Sequence, residues 1–233
     1  RSKPAKHLEF NTGDLLLNLA DEYERTCSSV KEKEQINFED LSKRQRLLRE
    51  EAEGSIIYSQ INPKKEIDDS YKVPFRHLSM IAQIRSKDED VFSALEKSGY
   101  IESKKNVSEK LKEKLLKIRT WIDSKHFPSD LRIEINNDVN YELIDNFSFS
   151  KNDFLTKLVD NLNCVEEWNS IEIGKSIKLT ANEMELNLGE VYVLLYLIVL
   201  GKESGPKLAR LLQELDKERV CSLFLLAKDN KSS

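Results

Sequence analysis

The densest apolar stretch lies near the end of the chain, where residues 191–200 are all apolar. A bilayer-crossing helix needs ~20 such residues, so a run of about half that length predicts a helix buried on most of its sides. Asn187 precedes the run as a helix-capping residue, with Glu190 three positions later, and Gly201 follows it as a residue that favours a left-handed stop. The pattern therefore predicts a buried helix with defined ends.

Two further helices are predicted directly after this run. Pro206 stands where the first turn of a helix needs no N–H donor, and Asp216 precedes another segment with apolar residues at helical spacing. Because the connecting turns are very short, the three helices must pack on one another. We expect them to form the core of a helical domain.

Helical spacing of apolar residues recurs in most of the preceding chain. It predicts helices over 14–25, after Asn37, within 71–84, from Ser86 or Asp88 to Gly99, and over 106–122. A further helix is predicted after Ser150, which would cap it together with Asp153. We expect the helix after Asn37 to end near Gly54, and segment 166–185 to be one helix broken near Gly174 or Thr180. Residues 131–135 favour a short extended piece at most. The predicted fold class is all-α, a multi-helix bundle of about nine or ten helices with at most one short strand pair.

The composition narrows the class of protein. The chain has 233 residues, with 37 Lys and Arg against 41 Asp and Glu and a formal net charge of −4. Nucleic-acid-binding domains usually carry a basic excess, so any RNA contact must come from local basic patches. The widely separated Cys27, Cys164 and Cys221 indicate free thiols in a reducing cytoplasm. We expect no signal peptide and no membrane span, and the first residue, Arg1, favours a fragment of a longer protein.

The sequence lacks the residue constellations of a catalytic centre. Its histidines, His7, His77 and His126, are scattered, and no H-x-x-x-H, C-x-x-C or G-x-S-x-G spacing occurs. The Gly-Lys-Ser at 174–176 lacks the upstream glycine and the strand of a phosphate-binding loop. We therefore expect no catalytic residue and no metal site in this sequence.

Basic residues near helix starts and turns are the candidate RNA contacts, because phosphates bind cations and unstacked bases stack on side chains. They form three local groups: Lys72, Arg76 and His77; Lys202, Lys207 and Arg210, around the Gly205–Pro206 turn; and Arg44 and Arg46, with Lys43 and Arg49 beside them. Each group has a structural alternative, in which the side chains brace neighbouring helices or lie on a solvated face.

Three segments resemble one known family in sequence and in order. Residues 16–25 read LLNLADEYER, residues 73–84 read VPFRHLSMIAQI, and residues 196–220 read YLIVLGKESGPKLARLLQELDKERV. They are similar to the helix after the catalytic core, the P-F-R-H-L helix and the C-terminal end of class I lysyl-tRNA synthetases. Residues 100–185 match that family only in length and helical character.

The resemblance implies a lysine–tRNA ligase whose Rossmann-type core uses ATP and Mg²⁺. The signatures of that core are absent here, so the implied role is that of the C-terminal tRNA-binding part, with no cofactor of its own. Residues 1–65 would be a helical connector following the core, and residues 66–233 an anticodon-binding helix cage like that of glutamyl-tRNA synthetases. The implied partners are the anticodon stem-loop of lysine tRNA and the protein's own N-terminal catalytic domain, with no membrane and no DNA.

Two alternatives stay open from the sequence. A helical interaction or scaffold domain without an RNA role would scatter the basic groups over its surface, whereas an anticodon-binding domain would line one groove with them. A glutamyl type of tRNA specificity is disfavoured by the P-F-R-H-L and K-E-S-G-P-K segments. The family does not assign individual base-contacting residues, so the candidate contacts depend on charge and position alone.

Overall fold

The computed structural model describes residues 13–34, 36–59, 67, 69–145 and 147–228. Across these residues the chain contains eleven α-helices, three short 3₁₀ helices and no β-strand, which confirms the all-α fold class. The α-helices are α1 Asp14–Glu34, α2 Lys43–Ser59, α3 Phe75–Ile84, α4 Asp88–Lys97, α5 Glu109–Ile122, α6 Tyr141–Ile144, α7 Lys151–Asn163, α8 Ser170–Glu183, α9 Leu188–Leu200, α10 Leu208–Gln213 and α11 Lys217–Lys228. The 3₁₀ helices are Phe38–Asp40, Asp69–Lys72 and Ser129–Leu131.

The helices form two compact units, the first ending at Leu131 and the second beginning at Arg132. The domain boundary expected from the sequence, between residues 65 and 66, falls within residues 60–66, which lie outside the described part of the chain. That boundary therefore stays a prediction.

The first unit is held together by apolar packing and by ion pairs between helices, of which the Glu24–Lys114 pair is the most buried. A small apolar cluster of Cys27, Val30 and Ile56 joins α1 to α2. Lys114 Nζ, on α5, lies 2.6 Å from Glu24 Oε1, on α1, and also donates to the carbonyl oxygen of Val73. The backbone N–H of Phe75 donates to the same Glu24 carboxylate, so an α1 side chain caps the start of α3. These contacts fix α1, α3 and α5 relative to one another.

The second unit is built around α9. Its apolar run packs against α6, α8 and α11, and α7 in turn packs against α8 and α11. Asn187 accepts from the backbone N–H groups of Gly189 and Glu190, and Gly201 ends the helix in the left-handed region with φ 65°, so both expected ends are confirmed. The Glu190 carboxylate does not cap back on Asn187 and instead accepts a hydrogen bond from Ser148 Oγ. The buried run is therefore the core of this unit, as expected.

Several helix ends differ from the sequence-based expectation. Helix α2 runs through Gly54 to Ser59, and α8 is continuous through Gly174 and Thr180, so neither break exists. Asn37 does not cap α2, because it precedes a 3₁₀ turn without a side-chain cap hydrogen bond. The capping residue is Ser42, whose Oγ accepts from the backbone N–H of Gln45 at 3.4 Å. In return the backbone N–H of Ser42 donates to Gln45 Oε1 at 2.9 Å.

Segment 131–135 forms no strand in the structure. The residue that follows this segment, Asn136, forms hydrogen bonds with the end of α9. The backbone N–H of Asn136 donates to Val199 O at 2.9 Å, and its Nδ2 donates to Ile198 O at 3.0 Å. The last carbonyl groups of a helix lack intrahelical partners, so Asn136 satisfies α9 without any sheet.

Candidate nucleic-acid interface

The turn from Gly201 to Lys207 joins the buried helix α9 to α10 and carries the second group of basic residues. Tyr196 Oη donates to Pro206 O at 2.6 Å, which ties the turn to the helix it follows. A Cβ atom added at Gly205 would lie 2.8 Å from Leu200 Cδ1 and 3.3 Å from the Tyr196 ring, so the turn backbone runs close against α9. The turn is therefore anchored to α9 by a hydrogen bond and by close packing.

Lys202, in this turn, makes an internal contact. Its Nζ donates to the carbonyl oxygen of Arg132 at 2.9 Å. This hydrogen bond joins the turn to the first residue of the second unit, and the side chain is only half-buried. Lys202 therefore has a structural role in the fold, and this role is the alternative that the sequence left open for its group.

Lys207 and Arg210 differ from Lys202. Lys207 is exposed at the residue before α10, and Arg210 is half-buried one turn along that helix. Neither forms an ion pair among the described residues. Their charges are therefore available to an external anion.

The basic residues near the start of α3, Lys72 and Arg76, form ion pairs with other residues of the first unit. Lys72 pairs with Asp69 at 2.9 Å, and its pKa is raised above its usual value chiefly by that hydrogen bond. Arg76 Nε lies 2.6 Å from Asp21 Oδ2, and its Nη2 donates to Asn18 Oδ1 at 2.8 Å. Arg76 thus braces α3 against α1 while remaining partly exposed.

His77, the third member of this group, is a core residue. Its side chain is 4% exposed, and its ring centroid lies 4.7 Å from that of Tyr100. An imidazole in this position does not reach a phosphate or a base at the surface. We therefore leave His77 out of the proposed RNA surface.

The arginines at the start of α2 hold the preceding loop. Arg46 donates to the carbonyl oxygens of Leu41 and Glu39, at 2.9 and 2.8 Å. The guanidinium groups of Arg46 and Arg49 also lie 5.3 and 5.8 Å from the centroid of the Phe38 ring. Such cation–π contacts stabilise the loop around the ring. Arg44, by contrast, is exposed and without an ion pair among the described residues.

One basic residue of the second unit is a candidate RNA contact that the sequence did not single out. Lys178, on α8, is exposed and forms no ion pair in the described part of the chain, whereas Lys175 on the same helix pairs with Glu172 at 2.7 Å. The expected break in this helix concealed the face on which Lys178 lies. Helical spacing from Ile171 places Lys178 on the same face, but the sequence does not show that Lys178 lacks a carboxylate partner.

The described residues contain no cluster of potential metal ligands. No group of three or more His, Cys, Asp or Glu side chains within them could hold a metal ion. Burial raises the pKa of the Tyr192 and Tyr196 hydroxyls and of the Cys221 thiol, so the surroundings of these groups do not favour their ionised forms. His7 lies outside the described residues. Among the described helices, none has the length and apolar character needed to cross a bilayer.

A known domain family matches most of the second unit. Residues 130–222 match the family model described as an anticodon binding domain. This segment includes α6 to α10 and the first half of α11, and it contains Lys178 and the turn that holds Lys207. Most of the second unit is therefore similar in sequence to this domain family.

Nearly the whole chain is also similar to part of curated lysine–tRNA ligases. It is 30% identical to the enzyme of Methanocaldococcus jannaschii, over 97% of this chain and 42% of that protein. It is 24% identical to that of Picrophilus torridus, over 96% of this chain and 40% of that protein, and 27% identical to that of Thermoplasma acidophilum, over 94% and 39%. The chain thus spans about two fifths of the length of these relatives. These matches confirm the resemblance to the anticodon-binding region of lysyl-tRNA synthetases.

Proposed function

We propose that this chain is the C-terminal tRNA-binding part of a class I lysine–tRNA ligase and that it recognises the anticodon of lysine tRNA. The observation that carries the proposal is the combination of the two matches. The anticodon binding domain covers residues 130–222, and the similarity to lysine–tRNA ligases extends through the first unit as well.

The proposal assigns the chemistry to a catalytic domain outside this sequence. In that domain ATP, with Mg²⁺, would activate lysine and the tRNA acceptor end would receive it. The present chain would supply affinity and discrimination among tRNAs, working in the cytoplasm. Two linked contacts on one tRNA reinforce each other, so the isolated chain is expected to bind more weakly than the whole enzyme.

A chain with a net charge of −4 can bind RNA through local features. Phosphate contacts depend on the cations that face the backbone, and the anticodon is read as unstacked bases by hydrogen bonds and stacking. The structure supports this distinction, because Lys207 and Arg210 are unpaired among the described residues while Lys202 and Arg76 have internal partners. The net charge of the chain therefore does not argue against the role.

The test is a binding comparison between two RNAs. Unmodified lysine tRNA and the same tRNA with its anticodon replaced would be titrated with the purified chain at low and at moderate salt. We expect tighter binding of the lysine anticodon, by about tenfold, and expect this ratio to persist at moderate salt because base contacts are not screened as phosphate contacts are. Equal binding of the two RNAs, lost together on adding salt, would contradict the proposal and leave the scaffold alternative.

A further inference from the structure

Helices α8 and α10 pack side by side in opposite directions. Near the start of α8, the backbone N–H of Ser170 donates at 2.8 Å to Oε1 of Gln213, the last residue of α10. Further along, a Cβ at Gly174 would lie 3.6 Å from the Cβ of Ala209, near the beginning of α10. The residue numbers rise on one helix as they fall on the other. The two helices are therefore antiparallel.

This arrangement brings Lys178 to the level of the turn before α10. Lys178 follows Gly174 by one helical turn, about 6 Å along the axis. Ala209 is the second residue of α10, so the corresponding position on the other side is the stretch that contains Lys207. Arg210 follows Ala209 on the same short helix. The packed α8–α10 pair thus carries three cations, and Lys178 lies at about the level of Lys207.

These three cations lack the carboxylate partners that other basic residues of this unit have. Lys151 pairs with Asp145, Lys157 with Glu183 and Lys175 with Glu172. Lys178, Lys207 and Arg210 form no ion pair in the described part of the chain. Glu203, in the adjoining turn, forms none with them there. Like charges without carboxylate partners repel one another, so this part of the surface has an electrostatic preference for an anion.

Apolar side chains are exposed beside these cations. Ile171 is 66% exposed and Leu179 is 51% exposed, and both lie on α8, where residues 171, 175, 178 and 179 share the outward face. A single-stranded RNA presents phosphates to cations and splayed bases and riboses to apolar surface. A surface with both properties side by side suits such a strand.

We propose that this α8–α10 face, defined by Lys178, Lys207, Arg210, Ile171 and Leu179, is the surface that binds the single-stranded loop of the RNA. Lys178 contacts the phosphates from α8 and Lys207 contacts them from the start of α10, while Leu179 packs against a base or ribose. The inference rests on the proposed function and adds to it the surface, and Lys178, that do the binding. Lys202 and Arg76 are not part of it, because their side chains are used within the fold.

The test measures binding of a fluorescent anticodon stem-loop RNA to the whole chain over a range of salt concentrations. The variants are Lys178→Ala, Lys207→Ala and their combination, with Lys178→Gln as a milder second substitution. We expect each single variant to weaken binding about three- to tenfold at low salt. Each lost phosphate contact should also lower the slope of log affinity against log salt by about 0.7. Leu179→Ser should weaken binding without changing that slope.

Lys157→Ala is the matched control, because it removes the same charge from the same unit but at a lysine already paired with Glu183. Thermal unfolding of each variant should match that of the wild-type chain, since the substituted side chains are exposed. Equal losses of affinity in Lys157→Ala and Lys178→Ala would overturn the inference and indicate a general charge effect. So would unchanged binding in the Lys178 and Lys207 variants of a chain that still prefers the lysine anticodon. A wild-type chain that does not distinguish anticodons would overturn the proposed function itself, and this inference with it.

Discussion

At the scale of single residues, the pair between Glu24 and Lys114 is the most consequential electrostatic contact in the first unit. The two side chains are 12% and 17% exposed, and their atoms lie 2.6 Å apart. Burial raises the pKa of Glu24 above its usual value of 4.5, and Lys114 opposes that shift. The folded state therefore holds this proton more tightly than the unfolded state does. The stability from this group is greatest below pH 4.5 and falls as the pH rises through the folded pKa.

We predict that Lys114→Met lowers the free energy of unfolding by about 3 kcal/mol at pH 7, because it leaves a buried carboxylate without its countercharge. The pKa of Glu24 should then rise further, so protonation should relieve the cost. The loss should therefore be smaller at pH 5 than at pH 7. Urea unfolding at the two pH values measures both effects.

The matched substitution is Lys117→Met on the same helix. Lys117 and its partner Glu113 are 73% and 52% exposed, so we expect a loss below about 0.5 kcal/mol. An equal loss in the two variants, or a Lys114→Met loss that does not depend on pH, would mean that Glu24 does not carry a buried charge.

The sequence does not predict which basic side chains lack a partner within the fold. Charge and position singled out Lys202, Lys207 and Arg76 alike, because the sequence does not show that Lys202 reaches the carbonyl of Arg132 or that Arg76 reaches Asp21. The burial of His77 was equally hidden, since its ring packs on Tyr100, which lies twenty-three positions later. The basic groups were visible in the sequence, and their internal partners were not.

At the scale of helices and turns, the two glycines near α10 have opposite requirements. Gly205 lies where a Cβ would be 2.8 Å from the buried Leu200 side chain, whereas a Cβ at Gly174 would meet Ala209 at an ordinary 3.6 Å. Gly174 also lies inside α8, where alanine favours the helix.

We therefore predict that Gly205→Ala destabilises the second unit by about 1–2 kcal/mol through overpacking. Gly174→Ala should be neutral or should stabilise by about 0.5–1 kcal/mol. Thermal and urea unfolding of the two variants would measure the difference. A destabilising Gly174→Ala would show that α8 and α10 approach more closely than the structure indicates.

The ends of a helix could be predicted where a capping residue stood next to a stretch of apolar residues at helical spacing. Asn187, Ser150 and Gly201 define helix ends that the structure confirms. The failures have a common cause, which is that glycine, threonine and asparagine are weak local signals that packing overrides. Gly54 and Gly174 each lie inside a continuous helix, because a single glycine costs a helix only about 1 kcal/mol relative to alanine and does not by itself end it.

At the scale of the whole molecule, an acidic chain is proposed to bind RNA. Its net charge of −4 coexists with local groups of cations, and many of those cations are neutralised inside the fold. The uncompensated charge is therefore concentrated in a few places, of which the α8–α10 face lies within the anticodon binding domain match. The net charge alone excludes a surface that is basic throughout. Only the structure shows that the α8–α10 face carries cations without carboxylate partners among the described residues.

The most direct test of the central claim is a nuclease footprint of the purified chain on lysine tRNA. The account predicts protection confined to the anticodon loop and its adjoining stem, reduced in the Lys178→Ala, Lys207→Ala double variant and retained in Lys157→Ala. Protection of the acceptor stem with an accessible anticodon loop, or protection of all single-stranded regions alike, would contradict the claim that this chain binds the anticodon.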